Sequence, residues 1–154
     1  MRVAKKLIVS YMGDSLAYII KNDGSFLSGT PIPHNLSIES ERKKVMELGG
    51  NVTSLDEVFR LNGRFCLSRS FGDPSMAKHL ISDPETLIHE ITNDDKFVVL
   101  GSDGFWDGIR IEDFSTDLSQ QRSDEDIREC LEKYFEEAKV NIVDNVTVIL
   151  AKLN

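Results

Sequence analysis

Phe97-Val98-Val99-Leu100-Gly101-Ser102-Asp103-Gly104-Phe105-Trp106-Asp107-Gly108 is the stretch on which the fold turns. Its aromatic and β-branched start predicts a strand over Lys96–Gly101, because such side chains fit a pleated, half-buried surface. Small residues then free the backbone, and Asp103 stands at the strand's end, where connecting segments carry function. A second apolar run, Val146-Thr147-Val148-Ile149-Leu150-Ala151, predicts a closing strand over Asn145–Lys152. It is apolar on both faces, the pattern of a fully buried strand. Asp144 precedes it as Asp103 follows the first.

Outward from these runs, Leu7–Tyr11 and Ala17–Ile20 flank Gly13-Asp14-Ser15, and Asn22-Asp23-Gly24 is a strong turn signal. Residues 7–28 therefore read as strand, turn, strand. Gly29, Pro31 and Pro33 make a loop of residues 29–36. Residues 38–48 predict a modest helix stopped by Gly49-Gly50. Val52–Leu61 reads as short strands, with a turn at Asn62-Gly63, and Ser68–Ser82 is loop-rich. Thr86–Ile91 and Lys96–Gly101 are two strands joined by Thr92-Asn93-Asp94-Asp95, and His89 reads as outward-facing. Ser123 caps a helix over 124–139, with Asp124, Glu125 and Asp126 at its positive end and Ile127, Leu131, Tyr134, Phe135 and Ala138 at helical spacing. Antiparallel-looking strands with a few helices define an α+β class. No repeat, low-complexity tract or linker interrupts the chain, so 1–154 is expected to form one domain with no second one.

The 154 residues are 40% hydrophobic and 29% charged, which excludes a disordered, collagenous or coiled-coil chain. Eighteen Lys+Arg against 26 Asp+Glu give a formal charge of −8. That balance argues against nucleic acid as a partner, since phosphate-backbone affinity comes from basic side chains. The longest apolar runs, of about six residues, fall far short of a membrane span. The apolar run after Lys5-Lys6 meets Asp14 too early for a signal peptide and reads as a first buried strand. Cys66 and Cys130 lie far apart, as expected for reduced thiols in a cytoplasmic or nuclear protein.

Asp is a poor strand residue, so Asp14, Asp103 and Asp144 at strand ends are each a turn-former, a helix cap or a ligand. Spacing alone leaves these alternatives open. Three carboxylates brought together would favour a hard cation such as Mg²⁺ or Mn²⁺. No Cys/His spacing suits zinc.

Six blocks, in order, resemble the C-terminal part of the metal-dependent Ser/Thr protein phosphatases of type 2C (the PPM family). They are Ile8–Ala17 around Gly13-Asp14-Ser15; His34, Glu41 and Lys44-Val45 before Gly49-Gly50; Leu61-Asn62-Gly63 through Leu67-Ser68-Arg69-Ser70-Phe71-Gly72-Asp73; Asp83-Pro84-Glu85; Phe97–Ile109; and Asp144–Ile149. The resemblance implies part of a two-sheet antiparallel β-sandwich flanked by helices, with metal ions at one end. It implies Asp103 and Asp144 as core metal ligands, with Asp14 joining Asp103 at an additional, weaker metal position. It also implies Mg or Mn as cofactor and attack of metal-activated water on phosphoserine or phosphothreonine of a protein substrate. Ser68, Arg69 and Asp73 are expected to shape the strand-to-loop region, and Gly50–Arg60 to belong to a flap that influences substrate choice.

The family's N-terminal blocks are missing from this sequence. These are the "ED" pair, the phosphate-contacting Arg, and "DGHGG", whose Asp bridges the metals and whose His is the proposed general acid. No Asp-Gly-His occurs here. The chain is thus expected to lack a general acid and to need a homo-oligomer, a swapped assembly or an N-terminal half to complete its site. Tyr11 stands for the usual Asn, Leu16 for Arg, Pro33 for Asp and Val140-Asn141 for Gly-Ser. The substitutions around Asp14 support the alternative, a pseudophosphatase-like binding module.

Overall fold

The computed structural model describes residues 5–153; Met1–Ala4, the lead-in to the first strand, lie outside the described residues. In chain order come β1 (Lys6–Tyr11), β2 (Leu16–Lys21), β3 (Phe26–Ser28), α1 (Glu39–Glu47), β4 (Val52–Leu55), β5 (Val58–Leu61), β6 (Glu85–Glu90), β7 (Asp95–Gly101), α2 (Asp103–Trp106), α3 (Ile111–Gln120), α4 (Asp124–Asn141) and β8 (Val148–Lys152). The fold is α+β, with antiparallel pairing throughout the largest sheet. Among the described residues no helix is long and apolar enough to cross a membrane. The chain divides into two compact units. One takes the residues up to Val9, Ser15–Pro31 and those from Leu87 on; the other takes Ser10–Asp14 and Ile32–Thr86.

The first unit is built on the sheet β3-β2-β7-β8. Register places Ile20 opposite Phe97 and Tyr18 opposite Val99, so one face of the sheet carries aromatic and β-branched side chains in a block. These residues pack with Phe105, Trp106, Phe114, Leu118, Tyr134 and Ala138 from the helices. Full burial of each such side chain contributes about 1.5–3 kcal/mol. Val98, on the opposite face of β7, is buried too, whereas Leu100 beyond it is exposed.

β8 differs from expectation. It is shorter than Asn145–Lys152, and Ile149 is 60% exposed. Among the described residues β8 pairs only with β7, so it is an edge strand with one face packed on the core. β1 and β2 do not pair with each other either: β1 joins β6, and β2 joins β3 and β7. Likewise the adjacent strands β6 and β7 enter different sheets. His89 does not simply face outward; its Nε2 lies 2.8 Å from Asp95 Oδ2.

α4 forms where its cap and apolar spacing predict. Ser123 Oγ accepts from the Asp126 N–H at 3.0 Å, and Asp126 Oδ2 accepts from the Ser123 N–H at 3.1 Å. This reciprocal box satisfies two donors that the helix end leaves open. Ile127, Cys130, Tyr134 and Ala138 form the buried stripe. Ser123→Ala is expected to lower stability by about 1 kcal/mol, read as a shift in urea midpoint at constant slope. No change in midpoint would mean that packing alone holds the helix.

The second unit has a smaller core of Leu36, Val45, Leu61, Met76 and Leu80. Its hairpin β4–β5 turns through Asp56-Glu57, both at positive φ (48° and 64°). Such two-residue turns match strand twist, although these residues bear the left-handed conformation less easily than Asn-Gly.

Candidate functional site

In the first unit the end of β7 is tied to the segment entering β8. The Ser102 N–H donates to Thr147 O at 3.0 Å. Ser102 Oγ donates to Asn145 O and accepts from the Thr147 N–H, both at 3.1 Å. The Trp106 indole N–H donates to the carbonyls of Leu16 and Gly101, each at 3.1 Å, and anchors the turn against β2. Asp103 opens α2, with its Oδ1 accepting from the Gly104 N–H at 2.8 Å. Asp144 Oδ1 accepts from the Asn145 N–H at 2.6 Å. The segments bearing the two acids approach through Gly104: a Cβ there would stand 2.5 Å from Asn145 O and 3.3 Å from Asp144 Cβ. Gly104→Ala is therefore expected to push the two segments apart and lower stability by about 1–3 kcal/mol. Denaturation in urea checks this; an unchanged midpoint would mean that the loop yields freely.

Asp107, which sequence spacing did not single out, joins this pair. Its carboxyl is raised above the ordinary aspartate value, first by lost hydration and then by the charges of Asp103 and Asp144. Three carboxylates in one field repel each other, and a cation relieves that repulsion. Asp103 and Asp107 stand four residues apart across α2, the spacing that puts side chains on one helix face, and that signal was available. The donors are all oxygens, so the set suits a hard cation. Among the described residues, however, no group of three or more His, Cys, Asp or Glu is arranged to hold a metal by itself.

Asp14 lies in the second unit, on the turn after β1. Gly13 before it has φ of 99°, a region that L side chains seldom adopt. His34 grips this glycine: the Gly13 N–H donates to Nδ1 at 3.3 Å, and the His34 N–H donates to Gly13 O at 2.9 Å. Burial pushes the fully buried His34 imidazole below its ordinary value.

Around His34 lies a buried polar network whose charged pairing spacing did not foretell. Arg69, 4% exposed, forks onto Glu41, 1% exposed, through Nε (2.8 Å) and Nη2 (2.7 Å). Nη2 also donates to Glu85 Oε1 at 2.7 Å, and Nη1 to Asp83 O at 2.9 Å. Ser68 Oγ and Lys44 Nζ donate to Glu41 at 2.7 and 2.8 Å. Burial alone would raise the Glu41 carboxyl; the bonds from Arg69, Lys44 and Ser68 overcome it and hold the group at about 2. Ser68 and Arg69 thus brace this network.

The Protein phosphatase 2C family model matches residues 1–146. Probable protein phosphatase 2C 25 of Arabidopsis thaliana is 36% identical over 103 residues, covering 67% of this chain and 26% of the relative. Probable protein phosphatase 2C 45 of Oryza sativa subsp. japonica is 30% identical over 151 residues, covering 97% of this chain and 51% of the relative. Among solved structures, a C. elegans sex determining protein matches with a TM-score of 0.85 at 26% identity, over 98% of this chain and 38% of that one. A phosphatase from Toxoplasma gondii, with a TM-score of 0.77 at 22% identity over 97% of this chain and 50% of that one, shares the fold. The chain belongs to the protein phosphatase 2C family. It spans between about a quarter and about a half of the length of these curated relatives.

Proposed function

We propose that this chain supplies part of the catalytic site of a metal-dependent protein serine/threonine phosphatase acting on phosphoserine or phosphothreonine. The observation that carries the reading is the closure at the end of β7, where Ser102 bonds to Asn145 and Thr147 and a Cβ on Gly104 would stand 3.3 Å from Asp144 Cβ, so that the segments bearing Asp103 and Asp144 lie together. Asp103 and Asp144, with Asp107 beside them, would hold Mg²⁺ or Mn²⁺, and Asp14 would serve as a ligand at an additional, weaker metal position. Bound there, the cation lowers the pKa of water and offsets charge on the phosphoryl oxygens. The chain's own part is to hold these carboxylates at fixed positions: the Ser102 bonds, the Trp106 anchor and Gly104 set them before any ligand arrives. A general acid and a phosphate-contacting Arg come from a partner chain or from the rest of a longer protein, in the cytoplasm or nucleus. The unpaired edge of β8 offers backbone groups to such a strand. Strictly monomeric sedimentation at all concentrations would sink the homo-oligomer form of this reading.

The test mixes the chain with a type 2C N-terminal half and Mn²⁺, then follows phosphate release from a phosphopeptide. Turnover that needs both pieces and the metal supports the proposal. No turnover under any complementation favours the second reading, a pseudophosphatase-like binding module, for which Tyr11 and Leu16 flanking Asp14 speak.

A further inference from the structure

Each nitrogen of the buried His34 ring faces a different group. Nδ1 receives the Gly13 N–H, which can only donate, so Nδ1 carries no proton and the neutral ring keeps its proton on Nε2. Nε2 faces Glu85 Oε2 at 3.6 Å and has no hydrogen-bond partner among the described residues. The ring lies flat on Tyr11, centroids 4.7 Å apart and planes within 2°. Tyr11 in turn donates its hydroxyl to Glu85 Oε2 at 3.1 Å. On its other side the backbone of residue 34 is held as well, for His34 O accepts the Ser68 N–H at 2.9 Å. His34 is thus fixed by its stacking on Tyr11 and by its backbone bonds. It spends both a side-chain acceptor and a backbone donor on one glycine, the residue before Asp14.

We infer that His34 is the positioning residue of the Gly13-Asp14 turn: Nδ1 and the backbone N–H grip Gly13 and set the direction of Asp14 for the metal-ligating role proposed for it. The inference rests on the proposed role of Asp14. Gly13 has no Cβ to pack, and nothing within 4 Å would meet one, so side-chain packing does not hold this residue. Its hydrogen bonds must define the backbone direction, and among the described residues the side-chain acceptor its N–H uses is Nδ1. A group that orients a ligand through the backbone acts as outer-shell residues do at metal sites.

Two substitutions of similar polarity separate the ring's two ends. In His34→Asn the amide oxygen can occupy the Nδ1 position and still accept from Gly13. In His34→Gln the amide reaches the Nε2 position and leaves the Gly13 N–H without its acceptor. Both are made in the full chain, and far-ultraviolet circular dichroism establishes that each is folded. The first readout is exchange of the Gly13 amide by NMR, without metal. It should be about tenfold faster in His34→Gln and near the wild-type rate in His34→Asn. The second is Mn²⁺ affinity from the resonance of free Mn²⁺. His34→Gln should weaken it about tenfold, and should add nothing once Asp14→Asn is present. Unchanged Gly13 exchange in His34→Gln, or equally fast exchange in both variants, overturns the grip. Expected exchange with unchanged Mn²⁺ affinity, while Asp14→Asn weakens binding, overturns the positioning role and spares the reading of Asp14. If wild type binds no Mn²⁺, or Asp14→Asn leaves affinity unchanged, the reading of Asp14 falls and takes the positioning role with it. The exchange data then tell that failure from failure of the grip.

Discussion

Arg69→Leu should lower the free energy of unfolding by about 3–5 kcal/mol, measured by urea denaturation at neutral pH. The loss comes less from the attraction itself than from what is left behind. Glu41 is 1% exposed and cannot rehydrate, so removing the guanidinium leaves a buried charge with only Lys44 and Ser68 as donors. Glu85, at the other end of the fork, is partly exposed and recovers some hydration. Replacing both partners by apolar residues, Arg69→Leu with Glu41→Leu, should therefore recover at least about half of the loss.

The same pair sets the acid limb of stability. The folded-state value of Glu41, about 2, lies below the 4.5 it has when free. A depressed carboxylate stabilises fully above its unfolded value, and the contribution is lost as pH falls through the folded value. Wild type should thus lose stability between pH 4.5 and about 2 from this group. In Arg69→Leu burial is less opposed, the carboxyl titrates higher, and the acid slope flattens. A loss under about 1 kcal/mol, or acid limbs that superimpose, would mean that the pair is incidental to the fold.

Why the sequence showed some of this and not the rest follows from range. β7 and α4 were legible because an apolar run and a capped 3.6-residue stripe are local signals. α3 carries only Ile111, Phe114 and Leu118 at helical spacing among Ser115, Thr116 and Ser119, so its periodicity was thin. The exposure of β8 depends on whether a strand lies beyond it, and its own residues do not encode that. Asp103 and Asp144 needed only strand ends to be noticed, whereas Asp107 was passed over although it stands four residues after Asp103. Glu41, Arg69 and Glu85 lie 28 and 16 residues apart, and their pairing needs the chain to return. Sequence also exposed Gly13-Asp14 as a turn, while the part played by His34 depends on which of its ring nitrogens meets Gly13.

Asp103→Asn should cut turnover of the complemented enzyme by about a hundredfold or more, while the isolated, metal-free chain unfolds at a slightly higher temperature. The opposite signs are the point of the test. Asparagine keeps an oxygen where Asp103 Oδ1 accepts the Gly104 N–H, so the turn into α2 retains its bond. Only the charge is removed. Without a cation that charge opposes Asp107, whose carboxyl is raised first by lost hydration and then by Asp103 and Asp144. Relieving the repulsion favours the folded chain, as it does wherever like charges share a site. With a cation the same charge is part of what draws the ion in, and its loss removes attraction that no remaining bond replaces. A residue that only built the turn would show neither effect, because its hydrogen bond survives. One that stabilised the fold through its charge would lower the unfolding temperature instead. Turnover within about threefold of wild type would remove Asp103 from the cation site. A fall in metal-free stability alongside lost turnover would assign the lost activity to misfolding.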